Sequence, residues 1–170
     1  ICHGQLLDIC PRQNILYRDN AHSQRKELAA NIDLAFIMLA CKPTFYPEVL
    51  SQYLTILSIQ KVPCCFLLNK IDLCQDGHYP HIERFKYFAQ HDLADYILIS
   101  CQTGLNLDKA LKKIQDKVAI VIGPSGSGKS SFVKKLTDNS KIKIGDLSET
   151  GVGSHTTSVT EFYSLNENTH

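Results

Sequence analysis

From Ile32 onward, apolar residues gather into short continuous runs separated by stretches in which they recur every three or four positions. A continuous apolar run is the pattern of a strand covered on both faces, and the wider spacing is that of a helix with one buried side. Residues 32–41, 62–68, 96–99 and 118–122 therefore read as strands, and residues 47–60, 82–90, 107–116 and 130–137 as helices. The first helix carries Val49, Leu50, Tyr53, Leu54 and Leu57 at helical spacing, with Pro47 suited to its first turn. This alternation predicts an α/β fold, a mostly parallel sheet with helices on both faces. Ahead of it the pattern differs. Residues 4–18 read as two short strands about a turn at 11–14, and the polar residues 19–27 as a linker. Two strands alone are marginal in water, so this piece is expected to be the end of a small barrel.

Composition narrows the picture only slightly. The chain has 170 residues, 44% apolar and 21% charged, which is ordinary globular usage and enough for one sizeable core. Its longest apolar runs are too short to span a bilayer. A net charge of +1 gives no global field toward a polyanion. The seven cysteines contain no C-x-x-C pair; Cys41, Cys64 and Cys65 sit in apolar runs and read as small buried hydrophobes of a reducing compartment. The start at Ile1, without a signal-peptide pattern, suggests a fragment of a cytoplasmic protein.

The strongest chemical signal is Gly123-Pro124-Ser125-Gly126-Ser127-Gly128-Lys129-Ser130, which has G-x-x-x-x-G-K-[ST] spacing between a predicted strand and a predicted helix. Backbone amides of such a loop wrap an anion, Lys129 reaches the β and γ phosphates, and the Ser130 hydroxyl can ligate Mg²⁺. Asn69-Lys70-Ile71-Asp72 follows the strand at 62–68, at a carboxyl end where ligands of open α/β sheets collect. Asp72 can accept from guanine N1–H and the 2-amino group together, and adenine offers no such pair. Taken alone, this motif is equally a polar turn. Ser100-Cys101-Gln102-Thr103-Gly104 occupies a second carboxyl end, where backbone amides could meet guanine O6 and Ser100 could buttress the loop; alone it is simply a turn. Beyond the phosphate-loop helix, Gly151 to Gly153 precede Ser154-His155-Thr156-Thr157. A threonine there could complete a Mg²⁺ shell, and His155 is either a solvated loop residue or a group that positions water.

The order of these motifs resembles that of the RsgA/YjeQ family, circularly permuted GTPases of small ribosomal subunit maturation. The base-reading motifs precede the phosphate loop, and the switch threonines come last. Family-like residues also include Pro11-Arg12-Gln13-Asn14 with Arg18, Ala30-Asn31-Ile32-Asp33, and Ser131 after the loop. The resemblance implies residues 1–28 as the remnant of an OB-fold with its linker, and residues 29–170 as a circularly permuted Ras-like domain, incomplete at its carboxyl end. It implies GTP and GDP as ligands, Mg²⁺ held by Ser130 with Thr156 or Thr157, and catalytic roles for Lys129, Thr157 and His155. Ser131, Cys101 and Ile71 join the nucleotide-binding set. The implied partners are the small ribosomal subunit and its rRNA, with no membrane, and the implied state is a monomer.

This chain departs from the family pattern in three places. Ser154 stands where the family has Arg. The zinc ligands implied for the family are absent from this chain. The Asp-x-x-Gly motif that senses the γ phosphate would follow His170. The strand read at 159–165 would pair only with a strand beyond that point, so an open edge is expected near 118–122. Two alternatives to a GTP hydrolase remain at this stage: a nucleotide- or rRNA-binding module without turnover, and a phosphate-loop ATPase or kinase.

Overall fold

The computed structural model describes residues 11–19, 25–43, 47–74 and 77–139. Two strands open the described chain, β1 (Ile15–Asp19) and β2 (Arg25–Ala30). Then follow β3 (Leu34–Ala40), α1 (Pro47–Ile59), β4 (Cys64–Asn69), α2 (Ile82–Gln90), β5 (Asp95–Leu98), α3 (Leu107–Ile114), β6 (Ala119–Ile122) and α4 (Lys129–Asn139). The four later strands form one sheet in the order β5-β4-β3-β6, every pair parallel. This is the α/β architecture the periodicity predicts.

Side chains in β3 alternate between two cores. Ala35, Ile37 and Leu39 enter a cluster with Leu50 and Leu57 of α1 and Phe85 of α2. Leu34, Phe36 and Met38 face Leu107, Ala110 and Ile114 of α3 and Phe132 and Leu136 of α4. Both faces of β3 are thus covered, which is why its sequence is apolar without interruption. The chain moves outward from β3 through β4 to β5, then returns to place β6 on the other side of β3. Strand order therefore reverses between β3 and β6, and a crevice at the carboxyl ends is expected there. Among the described residues, β6 has one neighbour, β3, and its side chains are only half-buried.

The reading of residues 19–27 as a linker is corrected, while the first strand read within residues 4–18 lies outside the described residues. β1 pairs antiparallel with β2, which begins inside the supposed linker. Arg25, Lys26 and Glu27 misled because strand pairing uses backbone groups and is indifferent to the polarity of the residue type. Residues 1–10 lie outside the described residues, as do the strand read at 159–165 and His155, Thr156 and Thr157.

The β1–β2 pair is held to the sheet by side-chain amides. Asn14 donates from Nδ2 to the Ile32 carbonyl at 2.9 Å and accepts from the Ile32 N–H at 2.9 Å. Asn31, at φ 54°, accepts from the Gln13 N–H at 2.7 Å. Gln60, just past α1, accepts from the Tyr17 N–H and donates to the Tyr17 carbonyl. Leu16 is buried in the core beside α1. Asn14, Asn31 and Gln60 thus serve the junction at the amino end of the sheet, the end opposite the three motifs.

Cys41 is not a free thiol. It forms a disulfide with Cys74, 33 residues away, with Cα atoms 6.4 Å apart. β3 and β4 are parallel neighbours, so residues just beyond their carboxyl ends converge, a proximity that sequence spacing cannot display. Cys65 and Cys101 are buried thiols and Cys64 is half-buried. Burial pushes the Cys64 thiol up to about 11 and that of Cys65 to about 12.

Candidate functional site

The three motifs meet at the carboxyl edge of the sheet. The phosphate loop follows β6 and leads into α4, which begins at Lys129. A close approach fixes its first glycine: at Gly123, φ 149°, a Cβ would lie nearer than 3.0 Å to the Met38 carbonyl oxygen of β3. Gly128, φ 100°, is excluded from bearing a side chain by Asn69, whose Nδ2 would meet the new Cβ at less than 3.0 Å. Gly126 also has positive φ, so the loop backbone turns in a way that L side chains disfavour. Ser125, Ser130 and Ser131 are exposed, and Pro124 is half-buried. Ser127 is 2% exposed, and its hydroxyl has no hydrogen-bond partner among the described residues.

Lys129 folds back over the loop. Its Nζ donates to the Gly123 and Pro124 carbonyls, each at 2.9 Å. Burial lowers its pKa from the ordinary lysine value. No carboxylate forms an ion pair with it among the described residues. A partly desolvated ammonium held only by neutral carbonyls, beside glycines that leave backbone amides uncovered, fits an incoming polyphosphate.

Asn69, the last residue of β4, is 1% exposed and joins all three motifs. Its Nδ2 donates to the Ser127 carbonyl at 3.0 Å, and its Oδ1 accepts from the Cys101 N–H at 3.1 Å. Its own carbonyl accepts from the Cys41 N–H at 3.0 Å. One carboxamide therefore sets the distance between the loop after β5 and the loop after β6. Both of its ends are engaged, so it has no alternative rotamer without orphaned backbone groups.

Lys70 takes a left-handed conformation, φ 63° and ψ 33°, which turns the chain sharply out of β4. Its Nζ donates to the Gly126 carbonyl at 2.8 Å and to the Lys42 carbonyl at 3.1 Å. The side chain thus crosses above β3 to the phosphate loop. Ile71 is buried, and its N–H donates to the Ile99 carbonyl at 3.3 Å. Asp72 follows in a single 3₁₀ turn, Ile71–Leu73, with its residue exposed. The fully buried Ser100 donates from Oγ to Asp72 Oδ1 at 2.5 Å and accepts from the Thr103 N–H at 3.1 Å. Its one proton is committed to the carboxylate, which fixes Asp72 while leaving its outer oxygen open.

The residues of the three motifs therefore lie together at one edge of the sheet, with Asn69, Lys70, Asp72, Ser100 and Lys129 in hydrogen-bond contact with that edge's loops. Sequence reasoning missed three contributors. The Lys42 and Met38 carbonyls and the Cys41–Cys74 bond act through the backbone or from the neighbouring strand, and no motif announces them. For Gly123 the only hint is the glycine itself, directly after a strand.

A family model described as RsgA GTPase matches residues 9–170. The chain is 32% identical over 163 residues to the small ribosomal subunit biogenesis GTPase RsgA of Haemophilus influenzae (strain PittGG), covering 95% of this chain and 47% of that protein. It is 34% identical over 156 residues to the protein of the same name from Hahella chejuensis, covering 91% of this chain and 45% of the relative. The chain thus spans about half the length of the curated relatives it matches. Its fold is similar to the crystal structure of YjeQ from Thermotoga maritima, with TM-score 0.61 and 19% identity over 75% of this chain and 43% of that one. It is also similar to YloQ, described as a circularly permuted GTPase, with TM-score 0.55 and 19% identity over 81% of this chain and 54% of that one. With the phosphate loop, the asparagine joint and these relatives in agreement, the chain belongs to the RsgA GTPase family.

Proposed function

We propose that this chain is the nucleotide-binding core of a GTP hydrolase that acts in maturation of the small ribosomal subunit, in the cytoplasm. The observation that carries the reading is the Asn69 joint, which holds the base-reading loops and the phosphate loop at a fixed separation, as the two ends of one guanine nucleotide require. Residues 1–28 belong in this reading to the end of an OB-fold, and residues 29–170 to the GTPase domain, with β2 crossing that boundary.

Asp72 accepts from guanine N1–H and the 2-amino group, aimed by Ser100. Its carboxylate would be left without donors by adenine, which disfavours ATP. Lys70, tied to the Gly126 carbonyl, holds the guanine loop against the phosphate loop. Amides from Gly123 to Ser131 cradle the phosphates, and Lys129 exchanges its carbonyl partners for phosphate oxygens, offsetting charge that grows as the terminal phosphoryl group leaves. The Ser130 hydroxyl, with Thr156 or Thr157, is the donor set for Mg²⁺. That ion supplies further charge neutralisation when bound. His155 is assigned to positioning the attacking water.

Competition of GTP and ATP against a fluorescent GDP analogue tests the base assignment. GTP is expected to compete at least about 100-fold better, and Asp72→Ala to erase most of the difference. Equal affinities in the unmodified chain would defeat the guanine reading. Single-turnover GTP cleavage, with Lys129→Ala as the control, separates hydrolysis from binding without turnover.

A further inference from the structure

Charge is distributed unequally over the two faces of the sheet. Residues 107–139, which span α3, β6 and α4, hold seven lysines and three aspartates, an excess of four positive charges in a chain of net charge +1, and six of the seven lysines lie outside the phosphate loop. On the opposite face, α1 has Glu48 as its one charged side chain, and α2 has Lys86 paired with Glu83 and one further cation, the exposed Arg84. The helices α3 and α4 share one core, so their apolar positions point inward and their lysines outward. Lys109, Lys112, Lys117, Lys134 and Lys135 are exposed. Among the described residues none of the five has an ion-pair partner, whereas Lys113 pairs with Asp95.

Like charges fixed on one rigid layer repel each other, and a polyanion relieves that repulsion while releasing its own counterions. Lysines on flexible stems suit phosphate contacts that carry no sequence information. The layer also lacks what two other ligands would need. Neither α3 nor α4 exposes an aromatic side chain on which unpaired bases could stack. Leu107, Ile114, Phe132 and Leu136 turn to the core, and Val118 is the one large apolar side chain in this stretch that is largely exposed, too little to anchor the face in a lipid surface.

We infer that the outer face of α3 and α4 is a docking surface for the phosphodiester backbone of structured RNA, with Lys109, Lys112 and Lys134 among its contacts. The inference rests on the proposed action at the small ribosomal subunit, which supplies RNA as the polyanion. The test is the triple variant Lys109→Gln, Lys112→Gln, Lys134→Gln, none of which lies in the nucleotide site. Its affinity for fluorescent GDP is expected to match the unmodified chain, which verifies folding. Its affinity for small ribosomal subunits and for a short RNA duplex is expected to fall about 10-fold or more. The slope of log affinity against log salt should flatten by roughly 0.7–0.9 per lysine removed. An unchanged duplex affinity and slope overturns the inference, even if subunits still bind. Lysine-dependent binding to the duplex without binding to subunits upholds the surface and defeats the ribosomal reading. Lysine-dependent binding to phosphatidylserine vesicles, but not to RNA, overturns it in favour of a membrane.

Discussion

Replacing Gly128 by alanine should damage the protein through Asn69 before any nucleotide is present. The new Cβ would fall nearer than 3.0 Å to Asn69 Nδ2, where contact needs roughly 3.5 Å. Asn69 is buried and cannot swing away without surrendering its bonds to the Ser127 carbonyl and the Cys101 N–H. Each orphaned backbone group costs about 1–3 kcal/mol. Holding alanine at φ 100° adds about 1–3 kcal/mol. Gly128→Ala is therefore expected to lower the unfolding free energy of the nucleotide-free chain by roughly 3–9 kcal/mol, read from urea denaturation with the slope held constant. The decisive measurement is a double-mutant cycle with Asn69→Ala. That variant leaves the same two backbone groups unpaired but makes room for the Cβ, so Gly128→Ala added to it should cost only the backbone component. The coupling should equal the cost of the two orphaned groups, about 2–6 kcal/mol. Additivity within about 0.5 kcal/mol would refute the idea that Gly128 exists to admit Asn69.

Ser127→Ala should leave stability unchanged or raise it by up to about 1–2 kcal/mol, because it removes a buried hydroxyl with no partner; thermal unfolding reads this, and a loss of stability would reveal a bond to that hydroxyl. Cys74→Ser opens a loop of 33 residues and should lower stability by about 3–4 kcal/mol in oxidised protein, with the difference vanishing once a dithiol reductant is added to both. The Lys129 pKa is lowered by burial in the free chain, so the folded state binds fewer protons than the unfolded one between the two pKa values. Its charge opposes folding fully below the lowered folded value, and stability should rise with pH from there toward the ordinary lysine range. Nucleotide phosphate favours the ammonium, so GDP affinity should instead weaken as pH rises through the same window. Subtracting the Lys129→Ala profile removes the contribution of guanine N1, and a difference flat with pH would contradict the assigned contact.

How far each element was legible depends on where its signal resides. The helix read at 82–90 has the observed bounds of α2, because its apolar spacing and its flanking polar residues are both local. The strand read at 62–68 begins at Cys64 instead, since the Val62 N–H closes α1 onto the Leu57 carbonyl and Pro63 has no N–H to offer. The helix read at 107–116 stops at Ile114, and Asp116 takes a left-handed φ of 56°. In the site, Gly123 to Ser130 was legible because glycine conformation and the strand-to-helix change are properties of adjacent residues. The pairing of β1 with β2 was not legible, because the polar residue types of β2 say nothing of backbone bonds.

The sequence by itself determined the alternation of buried strands and one-sided helices, the glycine-rich strand-to-helix loop, and an order of motifs that places Asn69 to Asp72 and Ser100 to Gly104 before that loop. These are local patterns, and local chemistry is sufficient to read them. The tertiary structure alone decided that β3 lies between β4 and β6. That order brings Asn69 against Gly128, Lys70 against the Lys42 carbonyl, Met38 against Gly123 and Cys41 against Cys74. It also gathers the lysines of two helices, separated along the chain by β6, onto one face of the sheet. Neighbours across a parallel sheet are far apart along the chain, and their contacts are set by strand order and register, which no short stretch of sequence carries.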